Sequence, residues 1–367
     1  MGTNTKNNLH LVLFIALFGF TACDHKAHDP KPVTVPPTDS TINVTPVPMV
    51  TTVAGNSSQA VVDGTGAAAS FFNPLGITID KNGNLYVISD FSPKIRKISP
   101  AGEVTTLSTQ IAASAEFSGL TRDAKGNLYI SDDFVNVIYK VAPDNQVMLL
   151  AGNGDHGSYD QDGPGNAAGF AQPDCITISK QGNFYVAGTT FNTIRQITPN
   201  GDVTTLIGDD QSGFLHPHPA IKAKIYTVNA LAADSLGFLY IASNETHTII
   251  KVDVGNQTYS TYAGNGKQGL TDGKATTEAS FDNFSGMAID AKGNIFVAET
   301  KDLIRMVSAA GIVTTIAGTG EPGYKDGEAL KANFHYIRGM TVDTVGDLYV
   351  CDNGNFRIRK ITFPKKQ

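Results

Sequence analysis

Cysteine is scarce in this chain of 367 residues: there are three, Cys23, Cys175 and Cys351. No Cys/His cluster has the spacing of a structural zinc module, which excludes that way of holding a fold together. Cys175 and Cys351 fall in separate β-rich runs, so a disulfide is not expected and each reads as a small buried hydrophobe. Positive charge is short as well. Lys and Arg number 28 against 34 Asp and Glu, giving a net charge of −6 and a pI near 5.7. The electrostatic footprint of a nucleic-acid binder is missing. There is no G-x-S-x-G, no P-loop and no H-E-x-x-H, so no catalytic residue is assigned and no cofactor is expected. A run long enough to cross a bilayer is missing too. The apolar stretch from Leu9 to Phe20 would rise only about 18 Å as a helix.

What the chain has is repetition. Arg338 to Ile361 contains three short β-rich runs separated by Val345-Gly346-Asp347 and Asn353-Gly354-Asn355 turns, a strand–turn–strand–turn–strand meander. The frame recurs with a glycine before its second strand at Gly83, Gly126, Gly182, Gly237, Gly293 and Gly346. Successive spacings of 43, 56, 55, 56 and 53 residues suit propeller blades with their loops. The second strands, such as Leu85-Tyr86-Val87 and Phe184-Tyr185-Val186, are unbroken apolar runs. Both of their faces must therefore be covered, as when blades stack.

A fourth strand follows in five copies, for example Val104-Thr105-Thr106-Leu107 and Val313-Thr314-Thr315-Ile316. The sixth copy lacks one, and Val50-Thr51-Thr52-Val53-Ala54-Gly55 supplies it from the other end. The expected fold is all-β: a six-bladed β-propeller of four-stranded antiparallel blades, the last closed by the N-terminal strand, over residues 49–367. Pairing the ends leaves no long open edge.

The N-terminal segment has a different character. Lys6 precedes the apolar run, which ends Phe20-Thr21-Ala22-Cys23. Residues 1–22 read as a signal peptide, and the motif resembles a bacterial lipobox whose cysteine, Cys23, is lipidated. Residues 23–48 carry Pro30, Pro32, Pro36, Pro37, Pro46 and Pro48 and read as a semi-extended tether. The expected location is the bacterial cell envelope, lipid-anchored to a membrane, with the chain a monomer.

The body resembles the NHL-repeat family of β-propellers. The resemblance rests on Leu348-Tyr349-Val350-Cys351-Asp352 through Phe356-Arg357-Ile358-Arg359-Lys360-Ile361, and on the connecting Ala317-Gly318-Thr319-Gly320 through Asp326-Gly327 to Phe334. It covers residues 49–362 and implies the propeller fold. For function it implies only a range: lyases, sensor domains, and protein- or RNA-binding scaffolds. The family's acidic residue after strand two matches at Asp132, Glu299 and Asp352, and its strand-three arginine is clear only at Arg357. The first exit loop is short, and the third carries His216-Pro217-His218-Pro219 in place of the Gly-rich signature.

Aligning the copies puts Leu75, Ser118, Asp174, Asn229, Ser285 and Arg338 where the first strands begin, near the axis on the face carrying the long loops. Of these, Ser118, Asp174, Asn229, Ser285 and Arg338 form a candidate polar-ligand ring. The next residues, Gly76, Gly119, Cys175, Ala230, Gly286 and Gly339, are small, which permits close backbone approach. Tyr159, Tyr226 and Tyr324 are candidates for stacking on a sugar or peptide. His156, His216, His218, His247 and His335 map to the same face. Only His216 and His218 are locally paired, and they are the weak metal candidates. The repeated Asp-Gly at Asp63, Asp162, Asp272 and Asp326 reads as turn chemistry, as do Asp80, Asp123, Asp234, Asp290 and Asp343. Phe72, Phe170, Phe281 and Phe334 read as loop anchors. These features favour a membrane-tethered binding or scaffold module for a glycan or protein ligand. The alternative is a secreted lyase or lactonase-like enzyme working at the axial mouth around Asp174 and Arg338.

Overall fold

The computed structural model describes residues 47–365 apart from 91, 113, 156–158, 189, 191, 209–220 and 224. The signal-like run, Cys23, the tether up to residue 46, His156, His216 and His218 lie outside the described residues. The described chain makes six sheets, antiparallel throughout apart from the parallel edge pair of Val203–Gly208 with Ile221–Lys222, whose inner strands neighbour one another in sequence order around an axis. Blade 1 runs Pro74–Ile79, Leu85–Ser89, Ser92–Ile98, Glu103–Thr106, from the axis outward. Blade 2 is Phe117–Arg122, Leu128–Asp132, Val137–Val141, Val147–Ala151. Blade 3 is Pro173–Ile178, Phe184–Gly188, Ile194–Ile197, Val203–Gly208. Blade 4 is Val228–Ala233, Phe238–Ser243, Thr248–Asp253, Thr258–Ala263. Blade 5 is Phe284–Ile289, Ile295–Glu299, Leu303–Val307, Ile312–Ala317. Blade 6 is Ile337–Val342, Leu348–Asp352 and Arg357–Thr362, completed by Met49–Ala54.

The apolar second strands are buried on both faces, as their composition requires. Leu128–Asp132, Phe184–Gly188 and Ile295–Glu299 are buried at every position. Blade-to-blade packing supplies the cores: Tyr129 of blade 2 and Phe184 of blade 3 bring their rings within 4.3 Å in a cluster that spans the two blades. The N-terminal strand closes the ring in the expected register, with Val50 opposite Ile361 and Thr52 opposite Arg359. The turns on the opposite face behave as their sequence suggests. Asp80 accepts the amides of Asn82 and Asn84 at 2.8 and 2.9 Å, and Asp290 does the same for Lys292 and Asn294.

Four blades carry a two-residue fifth strand contributed by an inter-blade loop, where four strands were expected. Gly64–Thr65, Ile221–Lys222, Gly273–Lys274 and Gly327–Glu328 add to the outer edges of blades 1, 3, 5 and 6.

Those same four blades hold a buried arginine. Arg96, Arg195, Arg305 and Arg359 occupy one register of the third strand, opposite Val87, Val186, Val297 and Val350. Each is at most 1% exposed. Their partners are the Asp-Gly aspartates: Arg96–Asp63 at 3.0 Å, Arg195–Asp162 at 2.9 Å, and Arg305–Asp272 and Arg359–Asp326 at 2.7 Å. Each aspartate also accepts from an outer-strand threonine, Thr106, Thr205, Thr315 or Thr52. Each guanidinium lies over a phenylalanine, from 4.9 Å for Phe334 to 5.5 Å for Phe281, with Phe71 and Phe170 in between.

Three expectations change as a result. The Asp-Gly repeats are not mere turns, since their carboxylates clamp a loop to a strand. The strand-three arginine is Arg359 with three counterparts; Arg357 instead stacks on Tyr324 and bonds Ser57. The anchoring ring in blade 1 is Phe71, fully buried, with Phe72 its half-buried neighbour. Two of the acids matched after strand two join the clamps, as Glu299–Arg305 and Asp352–Arg359 pairs buried on both sides. Asp132 has no such arginine, because Tyr139 stands at that register.

Candidate functional site

Every inner strand slips register once, close to the axis. The shifts fall between Pro74 and Ile77, Phe117 and Gly119, Pro173 and Ile176, Val228 and Ala230, Phe284 and Gly286, and Ile337 and Met340. A bulge re-aims the residue it releases from the ladder. The released positions are Leu75, Ser118, Asp174, Asn229, Ser285 and Arg338, and all six line one axial cavity of about 110 Å³. The ring expected from the alignment is therefore brought together.

The small residues behind the ring let neighbouring blades meet. A Cβ on Gly286 would stand 2.1 Å from the Arg338 carbonyl oxygen, and one on Gly119 would stand 2.4 Å from that of Asp174. Such contacts are tighter than van der Waals packing allows, so these glycines fix the bore of the channel. Below the ring, Ile77, Leu120, Ile176, Leu231, Met287 and Met340 form an apolar girdle shared with a second cavity at the far end. The mouth is a pocket with a greasy floor.

Its polar groups divide into two sets. Ser118 Oγ donates to the Pro173 carbonyl at 2.8 Å, and Ser131 Oγ donates to that of Asp174 at 2.6 Å, so these hydroxyls stitch blade 2 to blade 3. Across the axis, Asn229 Oδ1, Ser285 Oγ and Arg338 Nε are buried atoms without a hydrogen-bond partner. Buried polar atoms are normally satisfied, so three orphans on neighbouring blades mark a place where something else bonds.

Charge is divided in the same way. Burial raises the Asp174 carboxyl above its ordinary range; Arg338 opposes the rise and Asp90 adds to it. Burial, then the charges of Asp174, Asp132 and Glu116, pushes Asp133 up to about 6. Asp90 and Asp133 each follow the second strand of their blade, and the sequence reading passed over both. The available signal was their place directly after the position matched to the family's acid.

Tyr336 was also missed. It is 43% exposed, and the Arg338 guanidinium sits 4.5 Å from its ring centroid. Its left-handed backbone, φ +58°, is held by an amide donated to Asp302 at 2.5 Å. The proposed tyrosines lie elsewhere, since none of them lines the cavity. Tyr159 donates to Asp155 at 3.0 Å, and Tyr226 is half-buried with its carbonyl accepting from Ser243. Tyr324 covers Arg357 at 3.8 Å and shares a hydrogen bond with Thr52 beside the blade 6 clamp. His247 and His335 lie on the mouth-side loops, with His247 Nδ1 3.0 Å from the Asp282 carbonyl oxygen. Among the described residues no group of three or more His, Cys, Asp and Glu side chains is disposed to hold a metal.

Comparison with known proteins fits this architecture. Residues 47–228 match the model of the teneurin NHL domain, and residues 334–361 match that of the NHL repeat. The chain is an NHL-repeat β-propeller. This NHL propeller is 24% identical to mouse teneurin-4 over 374 aligned positions, covering 86% of this chain and 13% of the teneurin. It thus spans a small part of the length of such relatives. Among solved structures it is similar to an auxiliary nutrient binding protein from Bacteroides ovatus, with TM-score 0.66 and 19% identity over 87% of this chain and 77% of that one. It is also similar to virginiamycin B lyase from Staphylococcus aureus, with TM-score 0.56 and 13% identity over 86% of this chain and all of the lyase. At these identities the structural likeness speaks to fold.

Proposed function

We propose that this NHL propeller is a binding module of the bacterial cell envelope, tethered through a lipid on Cys23, that takes a polar glycan or peptide ligand at its loop-bearing mouth. The observation that carries this reading is the set of unpartnered buried atoms at the ring, Asn229 Oδ1, Ser285 Oγ and Arg338 Nε, beside the exposed ring of Tyr336. A cavity of about 110 Å³ is far below the roughly 300–1,000 Å³ of a site that engulfs its ligand, so a head group enters and the remainder lies on the rim. The fold neighbour described as an auxiliary nutrient binding protein supports a binding role, and the signal-like N-terminal run supports export.

The test is a glycan and peptide array probed with the purified chain and with Arg338→Ala. Binding that is lost in the variant supports the reading; no binding to either array overturns it. Raised carboxyls at the mouth, Asp133 and Asp174, favour a second reading as an axial-site lyase or lactonase-like enzyme. Turnover of array hits, followed by mass spectrometry, separates the two. Cell fractionation with Cys23→Ser tests the anchor: the wild-type chain should sediment with membrane and the variant should not.

A further inference from the structure

The two halves of the mouth differ in sign. Blades follow one another around the axis in sequence order, so blade 3 faces blade 6, and Asp174 faces Arg338 across the pocket. Arg338 is near enough to oppose the rise in the Asp174 carboxyl, yet no ion pair is formed between them among the described residues. On the Asp174 side stand Asp90 and Asp133, each coupled electrostatically to Asp174. On the Arg338 side stand Ser285, 9% exposed, and Asn229, with Ser285 Oγ, Asn229 Oδ1 and Arg338 Nε all unpartnered.

Two opposite charges held apart over an apolar floor attract a molecule that carries both. Burying an ion without a close counter-charge is costly, and for Asp174 that cost shows as the upward shift of its carboxyl. A sugar without charge would leave both uncompensated, and a simple anion or cation would leave one. The small volume restricts the charged atoms of the guest to a compact group. A donor hydroxyl and a guanidinium suit a carboxylate, and an arc of aspartates suits an ammonium.

We propose that the mouth binds a compact zwitterion of the α-amino acid type, and this rests on the binding reading above. The carboxylate lies against Arg338 and Ser285, and the ammonium against Asp174, with Asp133 and Asp90 adding negative potential. Asn229 Oδ1, an acceptor, takes a second ammonium proton. The guest's side chain projects outward past Tyr336, whose exposed face can cover an apolar or aromatic substituent. Free amino acids and longer molecules ending in such a group share this chemistry.

The experiment is titration calorimetry of the full chain with a panel of L-amino acids. The same side chains are then presented as N-acetyl amino acids, which lack the ammonium, and as amino acid amides, which lack the carboxylate. The expected result is saturable binding of at least one amino acid, weakened about ten- to a hundredfold in either blocked form. Asp174→Asn should weaken the free amino acid and its amide and bring the free and N-acetyl forms closer together. Arg338→Met should do the same from the carboxylate side. Circular dichroism melts of both variants identify any that fail to fold, and Ser285→Ala then serves as the milder substitution. Equal affinity for blocked and free forms overturns the proposal, as does binding unaffected by all three variants. If no amino acid binds while an array glycan or peptide does, the zwitterion inference fails and the binding reading stands. If nothing binds in either experiment, both fail.

Discussion

Blades 1, 3, 5 and 6 and blades 2 and 4 share one strand plan and differ at one register. Where the first group places Arg96, Arg195, Arg305 and Arg359, the second places Tyr139 and Ile250. The loops entering the first group carry the Asp-Gly partner; the loop entering blade 2, residues 107–116, is about half as long and has none. Asp-Gly and arginine therefore occur together or not at all. The loop entering blade 4, residues 209–227, is as long as those of the first group but has no Asp-Gly, and that blade has no arginine at the register. A guanidinium with no carboxylate would be a buried lone charge. Blade 2, free of this duty, keeps its acids for other work. Asp132 accepts the amides of Glu116, Phe134 and Val135, and Asp133 feels the charge of Asp174 at the mouth.

The largest effect should come from breaking the clamp where it also closes the ring. Arg359→Met leaves Asp352, fully buried, without its partner at 2.6 Å, and it also frees Asp326 and the carbonyls of Lys325 and Asn333. Breaking such a buried pair costs about 3–5 kcal/mol. Ile250→Val at the matching register of blade 4 should cost about 0.5–1.5 kcal/mol. Denaturant unfolding measures both, and equal losses would mean that the two kinds of blade are held alike.

A smaller effect should follow from trimming the clamp. Thr315→Val in blade 5 removes one hydroxyl bond to Asp272, at 3.1 Å on an exposed rim, and leaves its amide bond in place. A loss of about 0.5–1 kcal/mol is expected by the same measurement. A loss as large as that of Arg359→Met would shift the weight of the clamp from the arginine to the threonine.

The remaining effect belongs to the unclamped blade and depends on pH. Asp133 has its carboxyl pushed up to about 6 by burial and by Asp174, Asp132 and Glu116. An acid raised in the folded state contributes stability that is fully present below its ordinary pKa of 3.8 and lost as pH rises through about 6. Asp133→Asn escapes that loss. Its melting temperature should exceed the wild type's at about pH 7.5 and converge with it towards about pH 4. A constant gap would place the origin of the effect outside the titration.

The ring at the mouth was legible because six copies can be aligned, and a shared register places equivalent residues at equivalent radius. Its consequence, a bulge releasing each side chain, lies in backbone geometry that no single residue announces. The clamps were harder to read. Arg96 and Asp63 are 33 positions apart, and each resembles ordinary strand or turn chemistry until the loop folds back. Phe72 and Phe71 differ by one place, and alternation of faces turns that single step into buried or half-buried. Tyr336 escaped notice because its role depends on a left-handed backbone that lays Arg338 over its ring.

Met49–Ala54 forms a seam on Arg357–Thr362. The first strand of the body to leave the ribosome pairs with Gly327–Glu328 and with Arg357–Thr362, so the circle cannot close until that final strand of the ring has been made. Ser57 and Arg357, joined by a hydrogen bond, are 300 positions apart. Contacts that distant in sequence slow folding, and an unpaired strand is exposed to other chains in the interval. Blades 1 to 5 have their four main strands before blade 6 begins, whereas blade 6 waits for its last one. A stop between Ala317 and Arg357 would leave five blades and a leading strand without its main partner.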